Sequence, residues 1–160
     1  MAACSGWDVV PAAAAPGGVF GWPLRPRPVI ERRFDKPAQD WLPGHRGVDL
    51  AGVPGQQVLA AGDGEVVFAG VVAGKPVVSI EHSGGLRTTY EPVEAEVQVG
   101  RRVTRGTVLG ILQAGHEGCG AAACLHWGAR RAGGATSRRE YVDPLALLRL
   151  SIIRLKPVRP

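Results

Sequence analysis

Apolar positions along this chain come in short bursts, never in a sustained helical period. Val58-Leu59-Ala60-Ala61 reads as a short buried strand, followed by Glu65-Val66-Val67-Phe68-Ala69 and Val77-Val78-Ser79-Ile80-Glu81. Leu86-Arg87-Thr88-Thr89-Tyr90 alternates with the period of two of a strand that has one wet face, and stops at Pro92. Turn formers separate these runs: Gly52-Val53-Pro54-Gly55, Gly62-Asp63-Gly64, Gly74-Lys75-Pro76 (expected to close a hairpin) and His82-Ser83-Gly84-Gly85. Two further short strands are expected around glycine turns between residues 97 and 112, and another over 124–130. Residues 131–140 read as a polar loop. Asp143-Pro144 then predicts a short helix through Leu148, with Asp143 as N-cap and Pro144 at the first helical position.

The pattern predicts one mainly β domain over 21–150, an antiparallel sheet protein with a short C-terminal helix. Residues 1–20, with Pro11, four alanines, Pro16 and two glycines, read as a disordered leader without a complete signal peptide. Residues 151–160 read as a tail, apolar enough at its start to add a strand or pack as an arm.

Composition sharpens this. The chain has 160 residues, 23 of them Gly and 13 Pro, which suits short strands and turns better than a helical bundle. No apolar run of about 18 residues occurs, so no membrane span is expected. The net charge of +5 fits a solvated basic surface or attraction to an anionic polymer, and with 6% aromatic residues and no nucleic-acid motif, nucleic acid is discounted. Cys119 and Cys124 lie close together and Cys4 stands apart. In a reducing compartment all three could be free; in a secreted protein Cys119 and Cys124 would pair, which is the expectation adopted.

The candidate chemistry lies in His45-Arg46-Gly47-Val48-Asp49 and in His126. Imidazole and carboxylate are both zinc-type ligands. In a fully extended strand His45 and Asp49 would stand about 13 Å apart. Sharing one ion therefore requires a bend, and Gly47 is the residue expected to permit it. Trp41, just ahead, is expected in the core, with lining a cleft as the alternative. His82 reads as a loop residue rather than a ligand.

Taken in order, Gly44-His45-Arg46-Gly47-Val48-Asp49-Leu50, the stretch from Val58 to Val66, His82 to Tyr90, Val99 through Gly110, Leu125-His126-Trp127 and Tyr141-Val142-Asp143-Pro144-Leu145 resemble a lysostaphin/LytM-type zinc endopeptidase domain. The stretch around residues 97–112 also resembles the hairpin of lipoyl carrier domains, but Lys75 followed by Pro76 does not match a carrier lysine. The endopeptidase resemblance implies an antiparallel β-sheet with a groove over one face, one Zn2+ held by His45, Asp49 and His126, and action on peptidoglycan peptides. It implies an extracellular or cell-envelope location, although no export signal is visible. The family also uses two further histidines, one in Tyr-x-His and one in His-x-His. Here these read Tyr90-Glu91-Pro92 and Cys124-Leu125-His126. His116 is the candidate replacement, as a catalytic residue or a ligand, with an ordinary loop histidine as the alternative. Glu91 is expected to face the opposite side of its strand, and Tyr90 to line the groove or pack. With both family histidines missing, the alternative is an inactive protein that binds cell wall or activates another cell-wall hydrolase.

Overall fold

The computed structural model describes residues 20–133 and 138–149. The main sheet is built from β1 (Ile30–Arg32), β2 (Gly47–Gly52), β4 (Gly64–Val72), β5 (Lys75–Glu81), β6 (Leu86–Glu91), β8 (Arg102–Val103), β10 (Ala123–Ala132) and β11 (Arg139–Val142). Its order is β1-β2-β10-β6-β5-β4-β8, with β11 pairing the far end of β10. A smaller sheet joins β3 (Gln57–Leu59), β9 (Val108–Leu112) and β7 (Val93–Ala95) in the order β3-β9-β7. All the pairings are antiparallel. One short helix, α1 (Pro144–Arg149), follows, and Asp143 caps it by accepting from the Leu145 amide at 2.9 Å. The mainly β, antiparallel fold expected from the pattern is what forms. Of the leader expected over 1–20, all but Phe20 lies outside the described residues, as do the tail expected over 151–160 and Cys4.

Register sorts the central strands into two faces. Val48 pairs Trp127, which pairs Tyr90, which pairs Val78, and Leu50 pairs Leu125; all are buried. This face meets Val58, Leu109, Leu112 and Val93 of the small sheet in one apolar cluster, closed by Leu145 and Leu147 of α1. Each large side chain buried there contributes about 1.5–3 kcal/mol relative to exposure. The other face is polar. One row runs Asp49, His126, Glu91 across β2, β10 and β6, and the next runs Gly47, Gly128, Thr89, Ser79 across β2, β10, β6 and β5. The two small glycines keep this face low beside the first row, forming the groove.

Three details differ from expectation. The hairpin turn is Ala73-Gly74, both at positive φ (49° and 79°), and Lys75 and Pro76 already belong to β5. A two-residue turn of this hand matches the twist of its flanking strands. The polar segment after residue 130 is shorter than expected, because β10 runs to Ala132 and pairs β11. Trp41 is 74% exposed on the loop ahead of His45, not in the core.

Tyr90 packs rather than lining the groove. Its hydroxyl accepts from the Ala61 amide and from Thr88 Oγ1, both at 3.0 Å, and burial pushes the phenol up to about 12. Thr88 Oγ1 also meets His82 Nε2 at 2.7 Å, while His82 Nδ1–H donates to the Asp63 carbonyl at 2.7 Å. His82 is thus a buried structural histidine under its loop, and burial lowers its pKa.

Candidate metal centre

His45 sits just ahead of β2 and is fixed twice. Its backbone pairs with Asp35, amide to carbonyl at 2.8 and 2.9 Å, and its Nδ1–H donates to the Arg33 carbonyl at 2.7 Å. That second bond selects the tautomer whose Nε2 lone pair is free, the usual support for a metal-binding imidazole. Gly44 permits the approach, since a Cβ there would stand 2.8 Å from the Asp35 carbonyl oxygen.

Asp49 projects from β2, and its register partner on β10 is His126. The chain turns at Arg46, so His45 Nε2 swings back to within 3.0 Å of Asp49 Oδ1 and 3.2 Å of His126 Nδ1. His126 Nδ1 lies 2.9 Å from Asp49 Oδ1. A bend does bring the pair together, but not through Gly47, which lies within β2 outside the left-handed region. Its missing side chain serves His126 instead: a Cβ on Gly47 would stand 2.7 Å from His126 Nε2 and 2.6 Å from the Trp127 carbonyl oxygen.

His116 comes from the loop between β9 and β10, and Gly115 and Gly118 on either side take positive φ (103° and 74°). A disulfide between Cys119 and Cys124 ties this loop to β10, as expected for the pair. His116 Nε2 reaches 3.1 Å from Asp49 Oδ1, and its ring lies 5.6 Å from that of His126. Its Nδ1 is buried without a hydrogen-bond partner among the described residues. All four residues present ligand atoms within 4.8 Å of one another.

The donor set fits a zinc-type ion. Donors about 2.05 Å from a tetrahedral ion stand roughly 3.3 Å apart. The three edges among His45, Asp49 and His126 are 3.0, 3.2 and 2.9 Å, close to one face of such a tetrahedron. His45 and Asp49 are 5% and 2% exposed, so these polar groups converge with little water to satisfy them. Burial works against the Asp49 carboxylate, yet the hydrogen bond from His126 and the charges of His116, His126 and His45 outweigh it and hold its pKa at about 2.

Neither family histidine position regains an imidazole from its own strand. Cys124 is buried in the disulfide, and Pro92 is buried beside Tyr90. Glu91, however, does not face away. It stands opposite His126 in the register of β6 and β10, so its side chain enters the groove. The expectation failed because it placed position 92 in the groove, whereas position 92 shares the buried face of Tyr90. A register between strands 35 residues apart in sequence leaves no signal in either strand alone, so Glu91 could not be assigned from the sequence pattern.

Residues 43–144 match the profile of Peptidase family M23. Uncharacterized proteins of Mycobacterium tuberculosis and Mycobacterium bovis are 58% identical over 154 residues, 95% of this chain, which spans 61% of their length. Among solved structures, lysostaphin from Staphylococcus simulans is similar with a TM-score of 0.65 and 22% identity, over 87% of this chain and 56% of that one. A zinc-containing peptidase from Vibrio cholerae gives 0.62 and 24%, over 78% and 39%. The SpoIIQ–SpoIIIAH pore-forming complex gives 0.64 and 21%, over 83% and 92%. These likenesses show the fold. With the profile covering most of its length, the chain belongs to Peptidase family M23.

Proposed function

We propose that this domain is a zinc endopeptidase acting on peptide bonds of peptidoglycan, with its proton-handling set rebuilt around His116. The observation that carries the reading is the compact triangle of His45 Nε2, Asp49 Oδ1 and His126 Nδ1, with a third imidazole, that of His116, 3.1 Å from the shared carboxylate oxygen. Bound there, zinc would polarise a peptide carbonyl and bring the pKa of a water down to about 7. The chain's own residues do the rest. Arg33 fixes the His45 ring through Nδ1, Gly47 leaves the space into which His126 turns, and the disulfide-tied loop holds His116 over the groove. From that position His116 can hydrogen-bond to charge developing on a substrate oxygen, a role that one imidazole of the family set performs. A peptidoglycan substrate would place the protein in the cell envelope or outside the cell.

The test is release of peptide from purified peptidoglycan by the zinc-loaded full chain, beside His126→Ala and His116→Ala. Release that disappears in His126→Ala and falls about 10²–10⁴-fold in His116→Ala supports the reading. Release no greater than from His126→Ala overturns it.

One observation favours a second reading, an inactive protein that binds cell wall or activates another hydrolase: Pro92 and Cys124 stand where the family carries histidines. A fold shared with a protein found in a two-protein complex is compatible with that role. Co-sedimentation with insoluble wall material without cleavage distinguishes it.

A further inference from the structure

We infer that Glu91 is a catalytic residue of this site, supplying the proton transfer that the missing imidazole at position 92 would have supplied. The inference rests on the peptidase reading above and assigns a role within it.

Placement is the first argument. Asp49, His126 and Glu91 occupy one row across β2, β10 and β6. Directly opposed residues of antiparallel strands project from the same face with their Cβ atoms about 5 Å apart. Glu91 therefore flanks His126 on the side away from Asp49, where the groove floor continues into Thr89 and Ser79. Its neighbours exclude other groups from the part: Tyr90 and Pro92 are buried, and Arg87, the other charged side chain on this face of β6, is engaged by Glu81 at 2.8 Å.

The second argument is availability. Glu91 is not one of the four residues whose ligand atoms converge. The contact recorded for its carboxylate is Oε1 to Lys75 Nζ at 3.6 Å, an ion pair at the groove edge with both side chains partly exposed. A carboxylate offers about four lone-pair sites, so this partner steadies the group and leaves room for a water and a substrate amide.

The third is chemistry. Peptide hydrolysis needs one group that takes a proton from the attacking water and returns it to the leaving nitrogen. Water oxygen bonds to the carbonyl carbon as its proton passes to a Glu91 oxygen. The C–N bond then breaks, and the same proton moves to the departing nitrogen, giving a carboxylic acid and an amine. His116, across the row, is left to face the carbonyl oxygen. The site thus divides between a carboxylate and an imidazole the work that two imidazoles perform in the family.

The experiment uses the zinc-loaded full chain and purified cross-linked muropeptides, comparing wild type, Glu91→Gln and Glu91→Asp, with zinc affinity measured by competition against a chromophoric chelator. The expected result is Glu91→Gln binding zinc within about twofold of wild type, with kcat lower by about 10²–10⁴ and KM little changed, and Glu91→Asp recovering part of the rate. An active wild type with Glu91→Gln equally active overturns the assignment and leaves the peptidase reading standing. Loss of zinc in Glu91→Gln overturns it in favour of a ligand or support role. A wild type that binds zinc and cleaves nothing removes the peptidase reading, and the role of Glu91 with it.

Discussion

Replacing Gly47 by alanine adds one carbon where His126 crosses β2. The new Cβ would stand 2.7 Å from His126 Nε2 and 2.6 Å from the Trp127 carbonyl oxygen. Ordinary contact begins at 3.4 Å, so the imidazole would have to retreat by about 0.7 Å or the strands would have to part. The carbonyl belongs to the ladder in which Val48 pairs Trp127 and cannot move without loosening β2 from β10. Overpacking of this kind costs about 1–3 kcal/mol, or roughly 3–10 °C of Tm for a chain of this size. Zinc ligands tolerate only about 0.2 Å of misplacement, and disturbing their support typically lowers affinity about 10–100-fold. The control is Gly128→Ala, in the same row, where the nearest atoms stand 3.6 to 4.0 Å away. Chelator competition and thermal melting of both variants make the measurement. Gly47→Ala is expected to lose zinc affinity at least about tenfold while Gly128→Ala keeps it. Equal affinity and equal Tm in the two would refute the claim that Gly47 exists to seat His126.

Stability should fall as pH drops below about 6.5. Burial lowers the pKa of His82, so in that window the unfolded chain takes a proton that the folded one refuses, and the unfolded state gains. Melting between pH 7.5 and 5.5 should show a steeper loss for wild type than for His82→Asn; parallel losses would exclude His82 as the cause. Ala73→Gly should raise stability by roughly 1 kcal/mol, since Ala73 holds φ at 49°, and an unchanged or lower denaturant midpoint would count against the turn as described. Cys119→Ala with Cys124→Ala should lower stability by about 2 kcal/mol through loop entropy. It should also release His116 from the site, with zinc still bound by His45, Asp49 and His126. Cleavage by that double variant at the wild-type rate would show that the loop needs no tether.

The sequence made legible whatever rests on local chemistry. His45, Asp49 and His126 announce themselves by residue type and by their flanking motifs, and Asp143-Pro144 announces a helix start because capping is settled within three residues. Cys119 and Cys124 are close enough in sequence for their pairing to be read. What stayed hidden depends on which strand lies beside which. Gly47 looks like a hinge until Trp127 and His126 are placed against it. Glu91 looks like a surface charge at a strand end until β10 supplies its row. Tyr90 alternates with polar neighbours whichever face is buried, and only the network from His82 through Thr88 to Ala61 shows that its hydroxyl points inward. Trp41, a large apolar residue, defaults to the core on hydrophobicity alone, and the structure leaves it exposed.

The pairing of β2 with β10 brings together Asp49 and His126, which lie 77 residues apart in the chain. Strands β3 to β9 all fall in that interval, so the two side chains meet across a long chain closure whose entropy must be met by other contacts. Before that closure, a folding chain can bring to one ion at most a local pair of these side chains, such as His45 with Asp49, a weak bidentate site. On the zinc reading proposed above, tight capture of the ion would report completion of the sheet rather than an early local event. Zinc added during refolding should raise final stability while leaving the rate of sheet formation almost unchanged.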